Sequence, residues 1–205
     1  MMPSVVATRG VLAAWVVFIP LMLWARGRAE KRTTNTRELT SVFAIALQGV
    51  GFAIVWWWHG QPPIPLMPAS DLAQWTIALT AIVFAFASVL FAVAAIRTLG
   101  KQWSLVAKVV EGHLLVRSGP YRIVRHPIYL ALMGLLVATG IAFGTPLGIG
   151  LAVGVYLWGT WLRVRSEERL LLAKFGDSYA HYAQEVPAIL PAPWRHRIRK
   201  SLRVE

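Results

Sequence analysis

The sequence contains no cysteine among its 205 residues. Without a thiol, the chain cannot form a disulfide, use a thiolate nucleophile or build a cysteine-based zinc or iron–sulfur site. No two histidines have a helical spacing that would hold a metal ion together with a carboxylate, so we expect no metal site. These absences leave oxygen and nitrogen groups to carry any chemistry.

Charged residues are also scarce. They make up 15% of the chain, against roughly 25% in soluble globular domains, while hydrophobic residues make up 57%. The apolar residues lie in long runs without a charge, which is typical of helices that cross a membrane. The composition therefore predicts an integral membrane protein.

Acidic residues are few, with 9 Asp and Glu against 21 Lys and Arg, for a net charge of +12. A basic excess can indicate nucleic-acid binding, but here the basic residues flank apolar runs and form no separate module. Membrane topology and anionic lipids account for them. We therefore expect membrane lipids, and no nucleic acid, as partners. The first apolar run lacks a small-residue cleavage site and is interpreted as a membrane span.

The uncharged runs predict five transmembrane helices. The run from 126 to 162 is too long for one span of 17–25 residues, and the turn at 143–146 divides it into a helical hairpin. A further helical pattern follows in the polar tail and ends at Gly176. The predicted fold is an all-α integral membrane protein with a cytoplasmic C-terminal helix. The predicted spans are 5–25, 39–58, 72–96, 127–143 and 146–162.

The basic residues also predict the orientation. Of the 21 Lys and Arg, 20 fall on one side of the five spans, and Arg9 alone falls on the other. The positive-inside rule makes the side with the 20 basic residues cytoplasmic, with the N-terminus outside and the C-terminus inside. Residues 1–96 then form three N-terminal helices, and 97–205 form the unit that carries the polar residues. The use of 16 Arg and 5 Lys favours the cytoplasmic membrane of a prokaryote.

Residues 112–129, GHLLVRSGPYRIVRHPIY, are a polar segment between apolar runs. Pro127 suits the first position of a helix, which would make His126 its N-cap, and helix N-termini attract anions. His113, Tyr121 and Tyr129 lie in the same stretch. The segment predicts either a polar site at the membrane surface or an anchor among lipid head groups.

A second polar group follows the last predicted span. Arg163 and Glu167 are four residues apart and share a helix face, and Arg165 and Glu168 share a neighbouring face. These residues predict either ordinary helix salt bridges or, because they emerge opposite the polar segment, the other wall of a polar pocket.

Small residues and one amide predict helix contacts. The spacings Gly144/Gly148 and Gly150/Gly154 favour close helix packing. Gln48, in the middle of an apolar run, is expected to make an interhelical hydrogen bond.

At the two polar groups the sequence resembles the isoprenylcysteine carboxyl methyltransferase family, within a wider group that includes phospholipid N-methyltransferases. The resemblance extends over roughly 100–191, about half of the chain. Three blocks carry it in order: His113-Leu114-Leu115-Val116, Gly119, Tyr121 and Arg125-His126-Pro127-Ile128-Tyr129; then Arg163, Glu167 and Glu168; then Phe175-Gly176, Tyr179, Tyr182, Val186-Pro187 and Pro191.

The resemblance implies S-adenosylmethionine as methyl donor, bound without a Rossmann domain in a polar cytoplasmic loop. Glu167 would bind the cofactor's ammonium group, Arg163 would reach the acceptor, and Glu168 would support that arrangement. The eukaryotic enzymes of the family carry a glutamine where this chain has Val106, and Gln102 is a candidate substitute. The implied cofactor-binding residues are His113, Leu114, Leu115, Val116, Tyr121, His126, Pro127, Ile128, Tyr129 and Glu167.

The acceptor implied by the resemblance is a lipophilic molecule from the bilayer: a prenylated thiol carboxylate, a phospholipid amine or another isoprenoid-like compound. A carboxylate would need a cation, for which Arg163 is the candidate, and an amine would need a base, for which Glu168 is the candidate. Two alternatives stay open. An NADPH-dependent sterol or lipid reductase has a similar Arg-His-Pro stretch, although two carboxylates suit an ammonium group better than a phosphate. A non-catalytic membrane protein would bind no cofactor.

Overall fold

The structure is a computed structural model that describes residues 2–28, 39–57, 70–100 and 114–190. Over these ranges the chain is helical and contains no strand, which confirms the all-α prediction. A short 3-10 helix, Gly119–Arg122, precedes the fourth α-helix. The α-helices of the described ranges are α1 Pro3–Arg28, α2 Leu39–Trp57, α3 Asp71–Leu99, α4 Pro127–Phe143, α5 Pro146–Phe175 and α6 Asp177–Glu185.

Four of these helices, α1, α2, α3 and α5, are long and apolar enough to cross a membrane, and α4 is a shorter apolar helix of 17 residues. Large apolar side chains cover their outer faces: Val83 and Leu90 on α3 are each 67% exposed, and Trp57 is 87% exposed. Apolar surface this extensive is rare in water and suits lipid. The protein is therefore a multi-pass membrane protein.

The end of α5 corrects the prediction of a separate C-terminal helix. One helix continues past Leu162 to Phe175, because the polar stretch is rich in Leu, Arg, Glu and Ala and contains no helix breaker. Gly176 then ends α5 with φ +51° and leads directly into α6, a conformation that glycine adopts without a Cβ clash. Glu167 and Glu168 thus stand on the same helix as the apolar run.

Helix α4 lies at the centre of the bundle. It packs along α3 and also contacts α1, α2 and α5, while α2 runs along α5 and α1 along α3. The main core joins α1, α3 and α4 through small and aliphatic residues such as Val11, Ala85 and Leu135. The N-terminus of α4, where the polar segment ends, is therefore fixed by helices on several sides.

Glycines at the α2–α5 interface allow the two backbones to approach closely. A Cβ on Gly159 would lie 2.8 Å from the Ala44 carbonyl oxygen, and one on Gly51 would lie 2.9 Å from that of Ala152. Gly150 and Gly154 instead have nothing within 4 Å among the described atoms. The prediction that this second pair packs against a helix was therefore wrong for the part of the chain described, because both glycines lie on the outer face of α5.

Gln48 makes the predicted interhelical bond. Its Nε2 donates to Thr160 Oγ1 on α5 at 2.9 Å, and both side chains are buried. Because an apolar interior offers a buried amide few partners, this bond fixes the two helices relative to each other along their axes.

Candidate functional site

The polar segment turns sharply before it enters α4. Gly119, at φ +57°, opens the 3-10 helix that buries Pro120 and Tyr121. His126 is then the N-cap of α4 and Pro127 its first residue, as the sequence predicts. The His126 side chain makes no capping hydrogen bond. Its imidazole reaches α5 instead.

His126 contacts both glutamates of α5. Its Nδ1 lies 3.4 Å from Glu167 Oε2 and its Nε2 lies 3.2 Å from Glu168 Oε1. Burial lowers the pKa of His126, but the hydrogen bonds and negative charges of Glu167 and Glu168 together outweigh burial, so the pKa is raised above its usual value. The imidazolium form is therefore favoured between the two carboxylates.

Glu167 also receives groups from α4 and α5. The Tyr129 hydroxyl donates to its Oε1, and Arg163 Nη2 donates to the same oxygen at 3.2 Å. The Arg163 guanidinium lies 4.9 Å from the centre of the Tyr129 ring, within the range of a cation–π contact. The His126 and Tyr129 rings are stacked, with their centroids 5.5 Å apart. The predicted Arg163–Glu167 pair is thus one side of a larger cluster.

Glu168 pairs with Arg125, whose Nε and Nη2 donate to Oε1 at 2.9 and 2.7 Å. Two donors from one guanidinium make a strong, directional contact. Arg165, which shares a face with Glu168 in the sequence, instead lies over the Trp161 ring at 4.3 Å. Arg125 is therefore a site residue that the list of candidates lacked, although it lies inside the Arg-His-Pro motif.

Arg125 also holds the chain beyond α6. Its Nη1 donates to the carbonyl oxygens of Ala183, at 2.7 Å, and of Val186. The backbone N–H groups of Arg125 and His126 donate to the carbonyl oxygens of Pro187 and Ala188, each at 2.9 Å. Residues 186–188, the C-terminal strap, thus lie against the start of α4.

Helix α6 is fixed by its tyrosines. The Tyr182 hydroxyl donates to the Tyr121 carbonyl oxygen at 2.7 Å, and the Arg117 guanidinium lies 5.5 Å from the Tyr182 ring centre. Burial raises the pKa of Tyr182 to about 12, so the hydroxyl keeps its proton and remains a donor at neutral pH. Tyr156 of α5 similarly donates to the Tyr129 carbonyl oxygen at 2.9 Å, and no sequence signal marked it.

The structure brings together five of the predicted site residues, and Tyr121 and Pro127 are buried at the turn beside them. Ile128 packs against the small core of Ala25 and Ile96. In the stretch before the turn, Leu114 is 70% exposed, and Leu115 and Val116 are half-buried. His113, Gln102 and Val106 lie outside the described residues. The five that meet are His126, Tyr129, Arg163, Glu167 and Glu168.

The fold and the site define an all-helical, multi-pass membrane protein with a cluster of carboxylates, guanidiniums and one imidazole at the polar end of α5. Residues 78–173 match the model of the isoprenylcysteine carboxyl methyltransferase (ICMT) family. The cluster lies within this matched part of the chain, and the match confirms the resemblance to the ICMT family seen in the sequence.

Three curated relatives extend the comparison. The chain is 35% identical over 100 residues to Protein-S-isoprenylcysteine O-methyltransferase B of Arabidopsis thaliana, covering 47% of this chain and 50% of that protein. It is 34% identical over 88 residues to Protein-S-isoprenylcysteine O-methyltransferase of Schizosaccharomyces pombe, covering 42% and 37%. It is 27% identical over 206 residues to Methanethiol S-methyltransferase of Mycobacterium tuberculosis, covering 94% and 74%. The chain thus spans half or less of the first two relatives.

Proposed function

We propose that this chain is an integral membrane methyltransferase that uses S-adenosylmethionine to methylate a lipophilic acceptor, as in the carboxyl methylation of a prenylated cysteine. The observation that carries the proposal is the pair of adjacent carboxylates, Glu167 and Glu168, held by Arg125, His126 and Tyr129 at the polar end of α5. The match of residues 78–173 to the model of the ICMT family supports it.

The donors and acceptors of the cluster suit the cofactor's polar groups. A carboxylate offers about four acceptor positions, and the contact from His126 to Glu167 Oε2 is long, at 3.4 Å. Glu167 can therefore accept the cofactor's ammonium group, while the nearby guanidiniums suit its carboxylate. When bound, the cofactor supplies an electrophilic methyl group on a cationic sulfur. His113, Leu114–Val116, Tyr121 and the Pro127–Ile128 pair are the further proposed lining.

The chain's own residues then have to hold the acceptor in line and exclude water, which can lower a barrier by several kcal/mol. Arg163 is 5% exposed, so its charge is little screened by water and can orient an anionic acceptor. Glu168 fixes Arg125 and His126 through the contacts described. We assign Arg163 to the acceptor and Glu168 to support of the site.

Charge favours an anionic acceptor over a protonated amine. The charges of Arg125 and Arg163 balance those of Glu167 and Glu168, and the raised pKa of His126 favours one further positive charge. With Glu167 assigned to the cofactor's ammonium group, the remaining cations would attract a carboxylate and would not attract a protonated phospholipid amine. This argument supports carboxyl methylation over phospholipid N-methylation.

We further propose that α4 also crosses the membrane, which makes five spans in all. The N-terminus of the chain then lies outside, and the site lies on the cytoplasmic face of a prokaryotic membrane. The central position of α4 among α1, α2, α3 and α5 supports this topology, as does the basic excess on one side. The three helices within 1–96 would then support a methyltransferase unit within 97–205, open to lipid and cytoplasm.

A second candidate function is S-methylation of a small thiol. The match to Methanethiol S-methyltransferase covers 94% of this chain, so it includes the N-terminal helices, which the family model does not cover in full. A thiolate is anionic and would meet the same electrostatic environment.

Calorimetric titration of the purified protein in detergent tests the cofactor. We expect S-adenosylmethionine and its demethylated product to bind, and NADPH not to bind. Binding of NADPH alone would support the reductase, and binding of none of the three would support a non-catalytic protein. Transfer of a labelled methyl group to S-prenylcysteines, small thiols or extracted lipids then identifies the acceptor class.

A further inference from the structure

Ser41 carries a hydroxyl that the packing leaves without an evident role. The residue lies on α2, is 1% exposed, and its Oγ has no hydrogen-bond partner among the described residues. Buried hydroxyls are normally satisfied, because losing water without a replacement bond costs free energy. A hydroxyl in this state at an interhelical face suits a ligand atom as its partner.

The pairing of α2 with α5 can be followed residue by residue. Gly51 lies against Ala152, and Gln48 bonds to Thr160, so the two helices run antiparallel. A step of about one turn towards the start of α2 therefore corresponds to a step of about one turn towards the end of α5.

The same pairing places Ser41 near the functional cluster. Ala44 lies against Gly159, whose Cβ position would be 2.8 Å from the Ala44 carbonyl oxygen. Ser41 is one turn before Ala44, and Arg163 is one turn after Gly159. Both are buried, so Ser41 lies on the inner face of α2 at the level of Arg163.

The charge of a neighbouring side chain adds an attraction for an anion. The Arg163 guanidinium contributes a full charge at the same level. A hydroxyl donor and a guanidinium together suit the two oxygens of a carboxylate better than the single sulfur of a thiolate, which is a weak acceptor.

We propose that Ser41, with Arg163, binds the carboxylate of the methyl acceptor and thereby selects carboxylate acceptors. The proposal deepens the proposed function and rests on it. It assigns acceptor selection to an N-terminal helix, outside the matched residues 78–173.

Binding measurements without a methyl donor test this assignment. The probes are N-acetyl-S-farnesylcysteine, which has a free carboxylate, and its carboxamide, which has the same lipid tail without the charge. The variants are Ser41→Ala and Ser41→Cys, the latter keeping nearly the size while replacing the hydroxyl by a weak donor. Ser88→Ala is the matched control, because the Ser88 hydroxyl is bonded within α3 to the Phe84 carbonyl oxygen at 2.7 Å.

We expect the unchanged protein and Ser88→Ala to bind the carboxylate probe more tightly than the carboxamide. Both Ser41 variants should lose roughly tenfold in affinity for the carboxylate, the size expected for a hydrogen bond to a charged group, and less for the carboxamide. Binding of the demethylated cofactor should be retained by every variant, which also reports that each is folded.

Three results would overturn the role of Ser41: equal carboxylate affinity in Ser41→Ala and the unchanged protein, no preference of the unchanged protein for the carboxylate over the carboxamide, or no binding of either probe. Each of them leaves the methyltransferase proposal standing if the demethylated cofactor binds. Failure of the unchanged protein to bind that cofactor counts against the proposed function itself.

Discussion

His126 illustrates how a single residue can connect two acidic groups. Its two ring nitrogens contact different carboxylates, Glu167 and Glu168, while its backbone caps α4. The imidazole therefore fixes the distance between the start of α4 and the polar end of α5. Removing it would leave two adjacent carboxylates with less positive charge between them.

The raised pKa of His126 predicts a pH-dependent stability. Its pKa in the folded protein lies above the unfolded value of about 6.5, so its contribution is fully present below that value and is lost as the pH rises through the folded pKa. We expect the melting temperature in detergent to fall over this range and the fall to be reduced in His126→Asn. His181→Asn, at a 62% exposed side chain, should retain the pH dependence, and an equal slope in His126→Asn would refute the role of His126.

Glu167 allows a test of cofactor binding at constant shape. Glu167→Gln keeps the size of the side chain but removes the charge that would attract an ammonium group. We expect the affinity for S-adenosylmethionine to fall about tenfold or more, as measured by calorimetric titration. Glu185→Gln, at an exposed residue of α6, is the control and should bind normally. Unchanged binding in Glu167→Gln would remove Glu167 from the cofactor site.

At the scale of helices, the contact between α2 and α5 is so close that it depends on individual glycines. At Gly159 an added methyl group would meet the Ala44 carbonyl oxygen at 2.8 Å, the Leu47 Cβ at 3.0 Å and the Gln48 nitrogen at 3.1 Å. Two of these atoms belong to backbone, which cannot rotate away. The helices would have to separate.

We therefore expect Gly159→Ala to destabilise the protein by about 1–3 kcal/mol, the usual cost of overpacking. Gly150→Ala is a matched control on the same helix, because its Cβ would meet nothing within 4 Å among the described atoms. Thermal unfolding in detergent should separate the two variants. Equal melting temperatures would mean that α2 and α5 are less closely packed than described.

Local signals were sufficient to predict most helix boundaries. Pro127, the Gly144–Pro146 turn and Gly176 act on their own neighbours, and the helices begin or end there as expected. The sequence did not predict that the last span and the following polar helix form one continuous helix. The reason is that the composition changes at Leu162 while the helix propensity does not.

Pairings between distant residues could be predicted only in part. The motifs identified five residues of the cluster. They did not predict that Arg125 pairs with Glu168 or that it bonds to the C-terminal strap. Those contacts join residues 43 and 61 positions apart, and no periodicity in the sequence encodes them. The close contact of Gly159 with α2 was likewise not predicted, because it depends on how α2 and α5 pack against each other.

For the whole molecule, the absence of cysteine makes the proposed topology directly testable. Ser70, which precedes α3, and Ser178, in α6, are exposed polar residues. Each can be replaced by a single cysteine. In sealed vesicles of known orientation, we expect a membrane-impermeant maleimide to label Ser70→Cys only from the outside and Ser178→Cys only from the cytoplasmic side. The cysteine-free protein is the blank, and labelling of both from one side would contradict five spans.

The unbroken course of α5 restricts how this chain can vary in length. A helix turns by about 100° per residue, and α5 is uninterrupted from Gly159 at the α2 contact to Glu167 and Glu168 at the cluster. One residue inserted between these points would swing both carboxylates away from Arg125 and His126 while leaving every amino acid of the site in the sequence. The number of residues between Gly159 and Glu167 on α5 is thus as necessary to the cluster as the identity of the side chains that form it.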